Sequence, residues 1–135
     1  MKPLISFVIF VFGNIFLAKS QESTFLLPDQ PSKCKNIQEG KFLKVGESSK
    51  TWYMSVKNGV QKEYYNNGKE YIKAKLEFSD DCHYKTIITA KTEGINFVKT
   101  GDVLLNEIIE TDHNLIRMVT KFYNKTDEFV LEKIE

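Results

Sequence analysis

The sequence has few of the residues from which catalytic and metal sites are built. Its 135 residues include two histidines and two cysteines, and the cysteines lack the Cys-x-x-Cys spacing of a zinc site. It contains neither the G-x-S-x-G turn of serine hydrolases nor a glycine-rich phosphate loop. Basic and acidic residues balance at 19 and 18, so no charge excess favours nucleic acid. These shortages predict no nucleic-acid partner, no cofactor, no metal site and no enzymatic activity.

The N-terminus carries the three-part pattern of a secretory signal peptide. Lys2 supplies a basic start, residues 4–17 are almost wholly apolar, and residues 18–20 (AKS) place small residues where a signal peptidase cleaves. The apolar run is shorter than the roughly 20 residues of a membrane-spanning helix. We therefore expect removal of residues 1–20 and export of the mature protein to the periplasm or the extracellular space, without a membrane span.

An exported domain is expected to pair its two cysteines, Cys34 and Cys82. An oxidising compartment disfavours the alternative of two free thiols, and no clustered histidines support the alternative of a metal site. The bridge would close a long loop, which the chain-entropy model values at about 4 kcal/mol. Residues 21–33, with two prolines, are predicted to form an extended leader, and its Phe25 and Leu26 are candidates to cover one end of the core.

Alternating apolar and polar residues predict strands through the rest of the chain. Residues 71–91 are the clearest case, because two alternating segments flank a tight acidic turn at residues 79–81. Asn58-Gly59 indicates a hairpin, since both residues accept the positive φ angles of a type I′ turn. Residues 102–110 fit a helix face as well as a strand, but their length and β-rich surroundings favour a strand.

About eight such segments follow one another, nearly all joined by short turns. Short turns between consecutive strands give an antiparallel up-and-down meander, and no spacing suits a strand-helix-strand unit. A meander with one apolar face must bury that face. The predicted fold is therefore a single all-β domain at residues 34–135, either a closed barrel or a strongly curved sheet. Residues 92–101 are predicted to be a loop, with Ile95, Phe97 and Val98 as lid or lip.

Several short motifs resemble those of a family of small exported proteins common in Bacteroidetes-type bacteria. These motifs are Cys34 followed by Gly40-Lys41-Phe42, the element Asp81-Cys82-His83-Tyr84, and the final Leu131-Glu132-Lys133-Ile134. The resemblance covers most of residues 34–134, although family members often carry tryptophan where this chain has Phe78. It implies a lipocalin-like β-meander and no particular activity, because the function of that family is largely unassigned.

The favoured function is a non-enzymatic binding or interaction module whose partner is a small apolar ligand or an envelope protein. The candidate ligand-binding residues are apolar and aromatic side chains of the alternating segments: Trp52, Met54, Tyr64, Leu76, Phe78, Tyr84, Ile88 and Phe122. For these side chains themselves the size of the barrel favours the alternative of a filled core, since small barrels are often just wide enough for their own side chains.

Two further functions stay open from the sequence. Asp80, Asp81 and His83 form the tightest polar cluster, which suits a periplasmic hydrolase or isomerase, although Asp is also common in tight turns. A zinc site would need His83 and His113 to meet, with a third ligand. An inhibitor or immunity-type protein that acts through its loops is the other alternative. Asn124 begins a glycosylation sequon, which matters only in a eukaryotic secretory pathway.

Overall fold

The alternating segments of the sequence are strands in the computed structural model, which describes residues 25–135. Eight strands follow a short 3₁₀ helix at Cys34–Gln38. They are β1 Gly40–Lys44, β2 Trp52–Lys57, β3 Val60–Tyr65, β4 Glu70–Asp80, β5 His83–Lys91, β6 Val103–Asp112, β7 Leu115–Phe122 and β8 Lys125–Lys133. Every strand is antiparallel to its neighbours in the chain, and β1 also pairs with β8. The predicted all-β meander is confirmed, and it closes into a barrel.

Local sequence explains the turns and strand faces. Asn58 and Gly59 have φ angles of 53° and 75°, so the predicted two-residue hairpin is present and sets the register of β2 against β3. The segment that fitted a helix face as well as a strand forms strand β6, as its β-rich surroundings predicted. Asn106 and Ile108 are buried on the inner face of this strand. The register of β4 against β5 shifts between Lys73 and Ala74, which marks a β-bulge.

Packed side chains and the 3₁₀ helix close one end of the barrel. There the 3₁₀ helix lies across the strand ends, with Ile37 0% exposed, and Cys34 joins Cys82 of the β4–β5 turn in a disulfide with an S–S distance of 2.02 Å. The predicted pairing is confirmed. Phe42 and Ile116 belong to the same buried cluster. We call this the closed end, and the opposite end, with the β5–β6 loop, the open end.

The leader contacts the barrel through a polar side chain. Of the two candidates to cover the core, Leu26 is 94% exposed and does not do so. Instead, the Asp29 carboxylate accepts hydrogen bonds from Thr111 Oγ1 at 2.7 Å and from the His113 backbone N–H at 3.1 Å. Thr111 Oγ1 also accepts the Lys33 N–H at 2.8 Å. The predicted signal peptide and the start of the leader, residues 1–24, lie outside the described residues.

Acid pH is expected to weaken this leader contact. The hydrogen bond from Thr111, and then that from His113, lower the pKa of Asp29 below its ordinary value of 3.8. A carboxyl whose pKa is lower in the folded chain stabilises the fold above its unfolded pKa, and this stabilisation is lost as pH falls through the folded pKa. Asp29→Asn should therefore lower the melting temperature at neutral pH and make little difference in strong acid.

Thermal unfolding at both pH values measures this effect, with Asp81→Asn as the control. Asp81 is an exposed residue of the β4–β5 turn, and we expect the Asp81→Asn variant to melt near the parent protein at both pH values. An equal melting-temperature difference between Asp29→Asn and the parent at both pH values would contradict the role of the ionised Asp29.

Candidate functional site

The inner rows of the strands leave a cavity of about 680 Å³ inside the barrel. Exposed residues of β8 and the exposed Phe97 of the β5–β6 loop are part of its lining, so the cavity meets solvent at the open end. The buried lining includes side chains from β2, β5, β6, β7 and β8: Trp52, Met54, Tyr84, Ile88, Asn106, Met118 and Leu131. The 3₁₀ helix and the disulfide of the closed end are not part of this lining.

Five of the eight residues predicted to bind a ligand line this cavity: Trp52, Met54, Tyr84, Ile88 and Phe122. Two others face inward but pack toward the closed end. Leu76 belongs to the buried cluster there, and Phe78 stacks on Tyr84 with ring centroids 4.7 Å apart. The structure therefore places most of the predicted set around one space and assigns the other two to the packed core.

Tyr64 is the member of the predicted set that faces away from the barrel interior. Its ring stacks on Tyr53, with centroids 4.5 Å apart, and it is paired across the sheet with Tyr53 and Tyr71 on the outer face. The inward aromatic residue of β3 is Tyr65, which is paired with Trp52. The prediction that Tyr64 lines a ligand site was wrong. The inner positions of β3 include Gln61 and Glu63, so the pattern of apolar residues does not identify the inner face of this strand.

Those polar positions hold a hydrogen-bonded carboxylate inside the barrel. Glu63 Oε1 accepts hydrogen bonds from Trp52 Nε1 at 3.2 Å and from the Tyr65 hydroxyl at 2.9 Å. Its Oε2 accepts one from Gln61 Nε2 at 2.9 Å. We call Glu63, Gln61, Trp52 and Tyr65 the carboxylate cluster. The sequence alone did not identify Glu63 as an inner residue. The Asn58-Gly59 turn carries the information needed, because a two-residue turn fixes the pairing of β2 with β3 and places Glu63 opposite the inward Met54.

The negative charge of Glu63 also affects two tyrosines of the cavity. Burial raises the pKa of Tyr65, and the nearby Glu63 carboxylate raises it further. Burial and then the same carboxylate raise the pKa of Tyr84 as well. Both hydroxyls therefore stay protonated at neutral pH and act as donors, Tyr65 to Glu63 and Tyr84 to Met118 Sδ at 4.0 Å.

A second polar side chain on the cavity wall, Asn106, makes its hydrogen bonds to other residues of the barrel. Asn106 Nδ2 donates to Thr86 Oγ1 at 2.8 Å and to the Tyr84 carbonyl at 3.2 Å. Its Oδ1 accepts the Thr120 hydroxyl at 2.8 Å. These bonds join the inner faces of β5, β6 and β7, and they match the rule that buried polar groups find partners. Asn106 therefore has a structural role in the wall.

The β5–β6 loop forms part of the cavity mouth, as the lid or lip prediction expected. Ile95 and Val98 are buried and anchor the loop in a hydrophobic cluster of the open half. Phe97 lies between them and is 61% exposed, and its ring meets Tyr65 edge-on with centroids 5.7 Å apart. An exposed aromatic residue on an anchored loop gives the mouth an apolar edge.

Lys44 brings a positive charge to the same region. Its Nζ lies 4.6 Å from the centroid of the Trp52 ring and 5.5 Å from that of Phe129. A lysine ammonium at this distance from an aromatic face is attracted by the ring quadrupole. The aromatic wall of the cavity therefore accommodates a cation.

The acidic turn at the closed end is a separate feature. His83 Nδ1 lies 2.9 Å from Asp80 Oδ1, and Asp80 also accepts the Cys82 N–H at 2.8 Å. The hydrogen bond with His83 lowers the pKa of Asp80 and raises that of His83. Both side chains are exposed, and neither is part of the cavity lining. These bonds stabilise the turn beside the disulfide.

Metal ligation has no support in the part of the chain that the structure describes. Residues 25–135 contain no group of three or more His, Cys, Asp or Glu side chains placed to hold a metal ion. His113 pairs with the neighbouring Asp112, and His83 pairs with Asp80 and Glu107. The two histidines therefore lie in separate clusters.

Comparisons with known proteins identify no relative. No protein-family model matches the chain, and searches of curated proteins and of solved structures found no significant match. Within residues 25–135, no helix has the length and apolar character needed to cross a membrane.

Proposed function

We propose that this chain is a binding protein that holds a small, mainly apolar molecule inside its barrel. The observation that supports this proposal is the cavity of about 680 Å³. Ligand sites are concave spaces of roughly 300–1,000 Å³ with apolar and aromatic walls and a few placed polar groups. The walls here are aromatic and aliphatic, and the carboxylate cluster supplies the polar groups.

The uneven filling of the barrel favours a ligand over a packed interior. An eight-stranded barrel is just wide enough to be filled by its own side chains or to hold one small ligand. Here the closed half follows the first pattern, with Phe42 and Ile116 fully buried. The open half instead has half-buried aromatic residues, including Tyr65 and Phe122, around the cavity. Large apolar side chains that border an open space gain from a molecule that covers them.

The proposed setting is outside the cytoplasm, in the periplasm or the extracellular medium. The Cys34–Cys82 disulfide is compatible with an exported protein, because disulfides persist in oxidising compartments. The signal-like N-terminal pattern supports the same proposal. A non-enzymatic role is part of the proposal, since the Asp80 and His83 side chains are not in the cavity lining and take no part in the binding we propose.

Filling the cavity tests the proposal. Leu104 lines the cavity on β6, whereas its neighbour Leu105 is 49% exposed on the outer face. We expect Leu104→Trp to weaken binding of the neutral apolar probe N-phenylnaphthylamine by at least about tenfold, equivalent to about 1.4 kcal/mol. Leu105→Trp adds the same side chain outside the barrel and should leave binding unchanged. Probe fluorescence measures both affinities, and circular dichroism checks folding.

The wild-type protein provides an independent measurement. Trp52 is the single tryptophan of the chain and lines the cavity, so a bound probe should quench its emission by energy transfer. Wild-type protein that binds no probe, or equal binding by the two variants, would contradict the proposal. Native mass spectrometry of protein purified from its source would then identify any molecule that it carries.

A further inference from the structure

We infer that the molecule bound in the cavity carries a cationic headgroup, such as an ammonium, which lies against Glu63. This inference rests on the proposed binding function and adds the chemical class of the ligand. Three observations on the carboxylate cluster and its surroundings support it: a free acceptor position, a charge without an ionic partner, and aromatic walls that accept cations.

The hydrogen-bond inventory of Glu63 leaves room for a donor from a ligand. The two oxygens of a carboxylate offer about four acceptor positions. Trp52 and Tyr65 occupy two of them at Oε1, and Gln61 occupies one at Oε2. One position at Oε2 therefore remains for a donor. Glu63 is part of the cavity lining, so a molecule in the cavity can reach it.

The charge of Glu63 has no ionic partner in the described structure. Its three donors are an indole, a phenol and a carboxamide, all neutral. None of the ion pairs within residues 25–135 includes it. A half-buried carboxylate beside apolar walls is costly unless an opposite charge approaches it. A ligand cation would supply that charge, whereas an anionic headgroup at the same place would be repelled.

Aromatic rings surround the same point. Trp52 and Tyr65 donate hydrogen bonds to Glu63, and Phe97 meets Tyr65 edge-on at the mouth. Carboxylates and aromatic faces both attract organic cations in proteins. The Lys44 ammonium over the Trp52 ring is an internal example at this site. Because the Lys44 side chain is long and lies at the open end, the Lys44 ammonium can move into solvent and a ligand cation can take its place over the Trp52 ring.

Three ligands with the same chain and different headgroups test the inference on the wild-type protein. These are octyltrimethylammonium, octanol and octanoate, each titrated by calorimetry below the concentration at which micelles form. We expect the ammonium to bind about tenfold more tightly than octanol, and octanoate to bind more weakly than octanol. Octanoate binding best would overturn the inference, because the lysines of the mouth, Lys44 and Lys125, would then be the headgroup site.

Variants locate the headgroup. Glu63→Gln keeps the shape of the side chain and removes its charge, so it should reduce the ratio of ammonium to octanol affinity from about tenfold to about one. Lys44→Met removes the competing cation and should strengthen ammonium binding. Glu77→Gln is the matched control, because Glu77 pairs with Lys75 outside the cavity lining, and it should change nothing. An ammonium preference that survives in Glu63→Gln would overturn the inference.

The outcomes separate this inference from the proposed function. If none of the three ligands binds to wild-type protein, the binding function itself is wrong. If octanol binds and the ammonium has no advantage, the cavity is a ligand site and the assignment of a cationic headgroup is wrong. Melting temperatures of the variants show whether each is folded at the titration temperature.

Discussion

Reduction of the Cys34–Cys82 disulfide is expected to lower the melting temperature by about 15 °C. The two cysteines are 48 residues apart in the chain, and a crosslink over a loop of this length is worth about 4 kcal/mol in the chain-entropy model. A domain of roughly this size loses about 4 °C of melting temperature per kcal/mol. The bridge also joins the 3₁₀ helix to the β4–β5 turn, so its loss frees the segment that covers the closed end.

Thermal unfolding followed by circular dichroism, with and without reductant, measures the effect of the disulfide. The double variant Cys34→Ala/Cys82→Ala should melt near the reduced protein, and reductant should not change its melting temperature. A reduced protein that melts within about 2 °C of the oxidised form would contradict the expected stabilisation, which is far larger.

Replacement of Phe42 by alanine is expected to destabilise the barrel by about 4 kcal/mol. Phe42 is 0% exposed, and on β1 it is paired with Met54 of β2 and with Lys133 of β8, at the pairing that closes the barrel. Removal of a buried ring loses its transfer free energy and leaves a void that neighbouring side chains fill incompletely. The loss should therefore appear as a lower free energy of unfolding with the closed topology retained.

Urea unfolding gives the free energies for this comparison. Phe97→Ala makes the same chemical change at an exposed position of the cavity mouth, and we expect it to cost less than about 1 kcal/mol. Equal losses for the two variants would show that the closed end is less important for stability than its burial indicates. Together, these measurements would assign stability mainly to the closed end and leave the open end for binding.

Much of the fold was predictable because its determinants are local. The alternation of Ile72, Ala74 and Leu76 has the period of a strand, and Asn58-Gly59 has the chemistry of a two-residue turn. Neither signal requires knowledge of distant residues. The cysteine pairing was also predictable, because the chain has two cysteines and an N-terminal pattern typical of exported proteins. The strand at β6 was the one ambiguous element, and the β-rich surroundings favoured the correct structure.

The cavity was predictable in part. Trp52, Met54 and Ile88 lie on clearly alternating segments, so their inward direction followed from the pattern. Tyr64 was assigned to the wrong face because adjacent tyrosines end a strand whose inner positions are polar. Leu26 was a candidate to cover the core, but the leader is attached through Asp29 and Leu26 remains exposed. Hydrophobicity alone therefore did not distinguish residues that line the cavity from those, such as Tyr64 and Leu26, that lie outside it.

The sequence by itself determined the all-β class, the order and turns of the strands and the identity of the disulfide partners, because each depends on neighbouring residues or on the number of cysteines. Tertiary structure alone decided that β1 meets β8, that the barrel keeps an open cavity, and that Glu63 points into it with three hydrogen bonds. These properties depend on how completely inner side chains from different strands fill a shared space. A glutamate in an alternating strand ordinarily indicates a solvent-exposed face, and the pairing of β3 with β2 is what places this one inside.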